Sequence, residues 1–370
     1  MRLCTLHIGL PKSASTSLQA MILTNRAQLA AHGIYVPATR TDDYRQPHRQ
    51  LAWEFHDKGF ADVPPGGFKE LKAELASLGT PEHILISSEF FQTALHRRGI
   101  LERLCQTFAA MGYRIRLVAY IRPQAAYINS GYTQVTKRLQ NTLDIDDFIA
   151  DALKHIRYDY ERFLLPAVRF DGIDTVYRPF NRETLTRGIV EDFLSTFGIS
   201  SESMAEFNIP SARNVSPGPK TVAALLRIGR KIAKQGIVAN LPHRIKASGL
   251  ILEMSDLLGW NLTKYAGITV NQAQLIQDRF APGNDAFAAI VWNRSWADVF
   301  GEESVSVPPF NVFQRDSASP QDRSEFDEVV ELVWQLLYSG RRATVWHFFK
   351  KHSIIFKKKC RMRANNKAPT

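Results

Sequence analysis

Short apolar runs alternate with amphipathic stretches along the first part of the chain. Residues 17–31 have helical periodicity and stop at Gly33, whereas residues 117–121 are apolar at every position. An unbroken apolar run of this length is typical of a strand buried on both faces. Strands that alternate with helices predict an α/β fold, with a parallel sheet flanked by helices. The predicted strands are residues 3–9, 33–37, 83–87, 115–121 and 173–178.

A different pattern begins near Lys220, where helical periodicity dominates and predicts a mostly helical C-terminal extension. The predicted helices there are residues 220–234, 272–280, 284–292 and 328–338. The polar stretch 308–327 is typical of a linker. The predicted organisation is an α/β core over 1–220, a helical part of the same domain over 221–307, the linker 308–327, and an amphipathic helix with a basic tail over 328–370.

The positive charge of the chain is concentrated in its tail. The sequence has 47 Lys and Arg against 36 Asp and Glu, a net charge of +11. Residues 341–370 hold ten of the basic residues and no acidic one, so the remaining chain carries 37 minus 36, or +1. A nucleic-acid-binding fold more often carries its basic face on the body, so no nucleic-acid partner is expected. With 45% hydrophobic residues the chain can bury a large core, which excludes global disorder.

Cysteine usage and the N-terminal sequence point to a reducing compartment. The three cysteines lie far apart and form neither a disulfide framework nor a zinc motif. The first residues are typical of a strand rather than a leader peptide, and no apolar run reaches the 18 residues of a membrane span. We therefore expect a cytoplasmic protein.

A cationic, hydroxyl-rich loop follows the first predicted strand. Residues 9–18 read GLPKSASTSL and lead directly into the first predicted helix. Unpaired N–H groups at a helix start bind phosphate-like anions, and Lys12 adds a full charge. The alternative is an ordinary turn in which the serines and threonine only cap the helix. The segment is not a Walker A loop, because no Gly-Lys-Ser/Thr follows and Lys12 precedes the hydroxyl cluster.

A second candidate anion site follows the fourth predicted strand. Arg122 stands at the strand end, Pro123 favours a helix start, and Ser130 comes eight residues after Arg122. A guanidinium can hold a phosphate through two hydrogen bonds. The alternative for this pair is a strand-end arginine in an ion pair and a helix serine that faces the core.

These two motifs, in this order, resemble those of sulfotransferases that use 3′-phosphoadenosine 5′-phosphosulfate (PAPS). The segment 12–17 resembles the 5′-phosphosulfate loop, with alanine at the usual glycine, and Arg122 with Ser130 resembles the 3′-phosphate site. The segment 130–135 is also similar to heparan sulfate glucosaminyl sulfotransferases, and weaker similarity to bacterial sulfotransferase-like proteins extends to about residue 220. The resemblance implies a P-loop-like core that needs no metal. It implies that the cofactor is bound by Lys12, Ser13, Ala14, Ser15, Thr16, Ser17, Arg122 and Ser130.

The resemblance also implies catalytic roles. Lys12 is expected to stabilise charge at the bridging oxygen of the leaving group, and either a glutamate or a histidine serves as general base in this family. Two candidates remain open here: Glu89, after the third strand, and His48, after the second. Each has an ordinary alternative, because Glu89 could simply favour a helix start and His48 could be a polar surface residue.

The expected acceptor is a hydroxyl or amine of a carbohydrate or glycolipid, by analogy with the heparan-type enzymes. The tail segment 341–363 mixes aromatic and basic residues, so it could bind an anionic membrane surface, a polyanion, or the protein's own body. Two other functions stay open. One is a nucleotide kinase-like enzyme, and the other is a non-catalytic module of the same fold that binds membrane or polyanion through the tail.

Overall fold

The computed structural model describes residues 2–10, 15–41, 47–56, 66–209, 216–234 and 241–339. Contacts divide the chain into two compact units, each made of three separate segments. Unit 1 comprises Met1–Tyr127, Leu153–Arg213 and Ala273–Ser306. Unit 2 comprises Ile128–Ala152, Asn214–Gln272 and Val307–Thr370. The segments of the two units therefore alternate along the sequence, and neither unit is one continuous stretch.

Unit 1 contains a five-stranded, wholly parallel sheet with the order β2-β3-β1-β4-β5. The α/β class and the parallel sheet are confirmed, and every strand overlaps its predicted range. The strands are β1 (Arg2–His7), β2 (Ile34–Tyr35), β3 (His83–Ser87), β4 (Tyr113–Ile121) and β5 (Ile173–Pro179).

Fourteen α-helices accompany the sheet in the described part of the chain. Those that begin before β5 are α1 (Ser15–Thr24), α2 (Arg26–Ala31), α3 (Arg49–Trp53), α4 (Gly67–Ser77), α5 (Arg98–Ala109), α6 (Gln124–Lys137), α7 (Ile145–Ala152) and α8 (Tyr160–Val168). Those after β5 are α9 (Ile189–Ser195), α10 (Pro219–Lys234), α11 (Leu241–Leu257), α12 (Val270–Trp292), α13 (Trp296–Phe300) and α14 (Pro320–Ser339).

One face of the sheet packs against α1, α2 and α9. Tyr120 of β4 and Leu85 of β3 are buried there against Leu18 of α1 and Phe193 of α9. The crossovers β1→β2 and β3→β4 run in opposite directions along the sheet. Because such crossovers are right-handed, the helices that follow β1 and β3 lie on opposite faces.

The single helix predicted over 17–31 is interrupted at Asn25. This residue is fully buried, and its side chain exchanges hydrogen bonds with the backbone of Asn208, 2.7 Å each way. Asn25 also donates to the Met21 carbonyl at 2.8 Å. These contacts hold Asn25 out of regular helical conformation, so α1 ends and α2 begins around it.

Helix α12 runs through Pro282, where the sequence predicted two separate helices. The residues after the proline are held by tertiary contacts: Asn284 is buried, and the Trp292 indole donates to the Tyr177 carbonyl at 2.7 Å. Burial of these side chains outweighs the local cost of a proline inside a helix.

The predicted linker 308–327 is wrong in its last part, because α14 begins at Pro320. The Ser319 hydroxyl accepts from the Asp322 backbone N–H at 3.1 Å and caps the helix. Phe326 is buried in the core of unit 2, which is formed mainly by α10, α11 and α14. Because the first turn of α14 is polar, the pattern of apolar positions does not show where this helix begins.

None of the helices in the described part of the chain is long and apolar enough to cross a membrane. The predicted basic tail, residues 341–370, lies outside the described residues.

Candidate functional site

The carboxyl ends of β3, β1 and β4 meet at one edge of the sheet. β1 lies between the other two, with His7 in register with Ser87 of β3 and Val118 of β4. Opposite crossovers leave β1 and β3 at a switch point, the place where open α/β sheets bind their ligands. The segments that follow these strands carry Ser15, Glu89 and Arg122, so Glu89 and Arg122 follow the two neighbours of β1.

Ser15 and Glu89 are brought into direct contact at this edge. The Ser15 hydroxyl, at the first residue of α1, donates to Oε1 of Glu89 at 2.5 Å. Glu89 begins a short 3₁₀-helix, Glu89–Ala94, whose preceding residue Ser88 caps it. The contact joins the loop after β1 to the loop after β3.

Glycine at position 9 makes this contact possible, because the space next to its Cα is too small for a side chain. A Cβ atom at Gly9 would lie 2.6 Å from Cβ of Ser15, well inside van der Waals contact. It would also lie 3.5 Å from Cγ of Glu89 and 3.5 Å from Cε1 of His7. Glycine is the residue used where backbone must approach its neighbours this closely.

The predicted cofactor loop is only partly visible. Lys12, Ser13 and Ala14 lie outside the described residues. Thr16 and Ser17 are half-buried in the first turn of α1, directly after the buried Ser15. The helix start therefore lies at the sheet edge, as the strand–loop–helix pattern predicted.

His48 is fully buried, and both of its ring nitrogens are engaged. Nδ1 accepts from the backbone N–H of Ser87 at 3.2 Å, and Nε2 donates to the Pro37 carbonyl at 3.1 Å. Burial lowers the pKa of His48 to about 4, so the ring is neutral at pH 7. This arrangement favours a structural role for His48, joining the segment after β2 to β3, over its predicted role as general base.

A second buried histidine, which the sequence did not single out, lies at the end of β1. His7 Nδ1 and the Ser87 hydroxyl are hydrogen-bonded at 2.7 Å, and the ring meets Phe193 edge-on at 5.3 Å between centroids. Burial lowers the pKa of His7 to about 4. No spacing in the sequence marks this pair, because a lone histidine in an apolar run carries no pattern.

Arg122 is half-buried and follows β4 directly. Its guanidinium lies over the Phe180 ring, 5.6 Å from the centroid, and the Tyr160 hydroxyl donates to its carbonyl at 2.7 Å. Burial lowers the pKa of Arg122 below its usual range, but an arginine stays protonated at neutral pH. Helix α6 begins two residues later at Gln124, and Ser130 lies half-buried in its second turn.

An amide pair fixes the start of α6. Gln124 and Asn284 are both buried and exchange two hydrogen bonds, of 2.6 and 3.0 Å. Gln124 also donates to the Tyr158 carbonyl at 3.1 Å. Sequence reasoning missed these residues, because 160 positions separate the two amides and neither belongs to a recognisable motif.

Within the residues that the structure describes, no three His, Cys, Asp or Glu side chains come together in a way that could hold a metal ion. No protein-family model matches the chain, and neither a curated protein nor a solved structure matches it.

Proposed function

We propose that this protein is a sulfotransferase that uses PAPS as its sulfuryl donor. One observation carries the proposal: the two segments that resemble cofactor-binding motifs follow β1 and β4, which are hydrogen-bonded neighbours. Each segment also leads into a helix, α1 or α6. Paired parallel strands lie about 4.8 Å apart, so the two segments start within the length of one nucleotide of each other.

The residues present suit an anionic group at this edge. The first turn of α1 offers backbone N–H groups and the hydroxyls of Thr16 and Ser17, and Arg122 supplies a half-buried positive charge. In the proposal, Lys12, Ser13, Ala14, Ser15, Thr16 and Ser17 hold the 5′-phosphosulfate, while Arg122 and Ser130 hold the 3′-phosphate. When bound, PAPS would supply a sulfuryl group for transfer to an acceptor oxygen or nitrogen.

Glu89 is the general base that the geometry favours. Its carboxylate lies at the switch point and is anchored by Ser15, so it is adjacent to the loop that would hold the donor. A carboxylate there can accept the proton that the acceptor hydroxyl or amine loses. His48 is the weaker candidate, because both ring nitrogens are already hydrogen-bonded inside the protein.

The acceptor in this proposal is a carbohydrate or glycolipid hydroxyl or amine, a choice that rests on the resemblance to heparan-type enzymes. The basic tail would bring the enzyme to an anionic inner-membrane surface, where a lipid-linked sugar would be found. This second part rests on the sequence alone: residues 341–370 contain ten basic and no acidic residues.

The first experiment measures binding of the product nucleotide, 3′-phosphoadenosine 5′-phosphate, to the full chain by calorimetry. We expect binding that needs no metal and that weakens at least about tenfold in Lys12→Ala and in Arg122→Ala, because each loses a charged contact to phosphate. Arg116→Ala, which removes a partly exposed arginine from the same strand β4, is the matched control and should bind normally.

Two outcomes of this titration would contradict the proposal. A preference for ATP–Mg²⁺ would favour the kinase-like alternative. Absence of nucleotide binding would favour the non-catalytic module.

The proposed base has its own test. Glu89→Gln keeps the shape of the side chain and removes its basicity, so we expect sulfuryl transfer to fall by about 10²- to 10⁴-fold with nucleotide binding retained. Transfer of radiolabelled sulfate from PAPS to a panel of glucosamine-containing saccharides measures this effect. Transfer at the wild-type rate would remove Glu89 from the mechanism.

A further inference from the structure

A cavity of about 370 Å³ lies within unit 1, beside the proposed catalytic edge. It is formed by the 3₁₀-helix Glu89–Ala94, the start of α5 and the segment before α8, and its lining includes Gln92, His96 and Arg157. This volume is in the range of small-molecule sites, which usually occupy about 300–1,000 Å³. The described residues proposed to bind PAPS do not line this cavity.

The lining of the cavity is cationic. Arg97 and Arg157 line it together with His56, His96 and His155, and none of its described lining residues is acidic. Burial, and then the neighbouring Arg97 and His155, lower the pKa of His96. Burial and Arg157 lower the pKa of His155. Burial is the larger cause of both shifts, and only the part due to the neighbouring cations reflects a positive potential. The anion preference of this space therefore rests on Arg97 and Arg157 and on the lack of acidic residues in the described lining.

Two of the lining residues carry buried polar atoms that have no hydrogen-bond partner among the described residues. Oε1 of Gln92 and Nδ1 of His96 are both buried without a hydrogen bond. The Gln92 side chain is only 7% exposed and lines the cavity. A buried polar group left unsatisfied costs about 1–3 kcal/mol, so these atoms are suited to a ligand that supplies hydroxyl groups.

Apolar rings complete the lining. Phe55 and Phe163 are nearly fully buried, and Phe163 lies 5.6 Å from the His96 ring at a shallow angle. Aromatic walls with a few convergent polar groups are the usual composition of a site for a small organic molecule. Together these features fit a hydroxylated ring that bears a negative charge.

Gln92 connects this cavity to the proposed base. Glu89 and Gln92 are three residues apart in the same 3₁₀-helix, where side chains at this spacing eclipse one another. The helix rises about 2.0 Å per residue, so the two positions lie about 6 Å apart along one face. A ring held at Gln92 could therefore present a neighbouring hydroxyl or amine to Glu89.

We propose that this cavity binds the acceptor through an anionic substituent, a carboxylate or a phosphate carried on a hydroxylated ring. Arg157 and Arg97 hold the anionic group, Gln92 and His96 hydrogen-bond the ring hydroxyls, and Phe55 and Phe163 contact its faces. The assignment of this ligand as acceptor rests on the proposed sulfotransferase function, whereas its anionic character rests on the cavity alone.

The test titrates the full chain with glucuronate and with glucose 6-phosphate by calorimetry, and uses neutral glucose as the uncharged comparison. The two acids separate a carboxylate site from a phosphate site. We expect one of them to bind at least about tenfold more tightly than glucose, and Arg157→Gln to remove about that factor. Arg162→Gln, an exposed arginine on α8 outside the cavity, is the matched control and should change binding by less than about twofold.

A second variant, Gln92→Glu, tests the site independently in case Arg157→Gln fails to fold. Gln92→Glu keeps the size of the side chain but places a negative charge in the cavity, so it should abolish binding of both acids. Both variants should keep the circular dichroism spectrum of the wild type and a cooperative unfolding transition, which shows that they are folded whether or not the protein binds the nucleotide.

The outcomes separate this inference from the proposed function. Equal binding of glucose and the acids, or no effect of Arg157→Gln and Gln92→Glu, would overturn the anion site. The protein could instead bind the acids through Arg157 and yet fail to bind the nucleotide. That result would overturn the acceptor role and leave an anion site with another function.

Discussion

Gly9 is closely packed against Ser15 at the candidate site. A Cβ atom at Gly9 would overlap the Ser15 side chain, while its distances to Glu89 and His7 would be ordinary contacts. Because the chain at Gly9 lies so close to Ser15, the Ser15 hydroxyl can donate to Glu89. The position of the proposed base thus depends on a residue that has no functional group of its own. Glycine at position 9 therefore affects the proposed base only by leaving space for the Ser15 side chain.

We predict that Gly9→Ala destabilises the fold by about 1–3 kcal/mol, the usual cost of forcing extra atoms into a packed interior. The matched control is Gly99→Ala in α5, where an added Cβ meets nothing within 4 Å and alanine favours the helix. Denaturant unfolding of both variants measures the difference. Equal stability of the two variants would contradict the packing described for Gly9.

The buried histidines predict a loss of stability on mild acidification. The folded-state pKa values of His7 and His48 are lowered to about 4, against about 6.5 in the unfolded chain. The unfolded chain therefore binds more protons as the pH falls from 6.5 towards 4. Each histidine should lower the free energy of unfolding by about 1.4 kcal/mol per pH unit within that window.

Unfolding measured between pH 6.5 and 5 checks this prediction in the wild type and in His48→Gln. Glutamine can still accept from Ser87 and donate to the Pro37 carbonyl but does not titrate, so the variant should show a shallower slope. A slope that is unchanged by the substitution would mean that His48 does not titrate in this window.

Site residues with a local motif could be predicted, and those defined by tertiary contact could not. Arg122 follows a strand and precedes a helix, and both facts can be read from the sequence. The partnership of Ser15 with Glu89 joins positions 74 residues apart, and that of Gln124 with Asn284 joins positions 160 apart. His48 looked like a loop residue because nothing local reveals that a side chain is buried against a neighbouring strand.

At the scale of elements, the central strands were the easiest to predict. β4 is buried on both faces, so its sequence is apolar without interruption towards its end. Helices were harder, because their limits depend on contacts outside the helix. Asn25 divides one predicted helix through its bonds to Asn208, while burial around Asn284 carries α12 through Pro282.

The join between β5 and α9 depends on one buried carboxylate. Asp192, 8% exposed, accepts from the Tyr120 hydroxyl at 2.7 Å and pairs with Arg178. We predict that Arg178→Met costs about 3 kcal/mol, because the Asp192 charge stays buried without its cation.

Arg116→Met is the comparison for this variant. Arg116 pairs with Asp174 across β4 and β5 at 2.7 Å, but both side chains are considerably more exposed than Asp192. Loss of such a surface pair should cost less than about 1 kcal/mol. Thermal unfolding of the two variants would contradict the prediction if their shifts were alike.

At the scale of the whole molecule, the tail accounts for nearly all of the net charge, ten of the +11. We predict that removing residues 341–370 abolishes co-sedimentation with vesicles rich in phosphatidylglycerol, since each basic residue contributes roughly 1 kcal/mol near such a surface. Neutral phosphatidylcholine vesicles and added salt are the controls. Undiminished co-sedimentation of the truncated protein would assign membrane binding to another part of the chain.

The segments of the two units alternate along the sequence, so unit 1 can be completed only late in synthesis. Unit 1 holds the whole sheet, yet its third segment, Ala273–Ser306, is far downstream of the last strand. That segment buries Phe287 and Trp296 against Tyr160. During synthesis the sheet must therefore remain without these partners until the ribosome has passed residue 306, with apolar surface exposed to chaperones for much of translation.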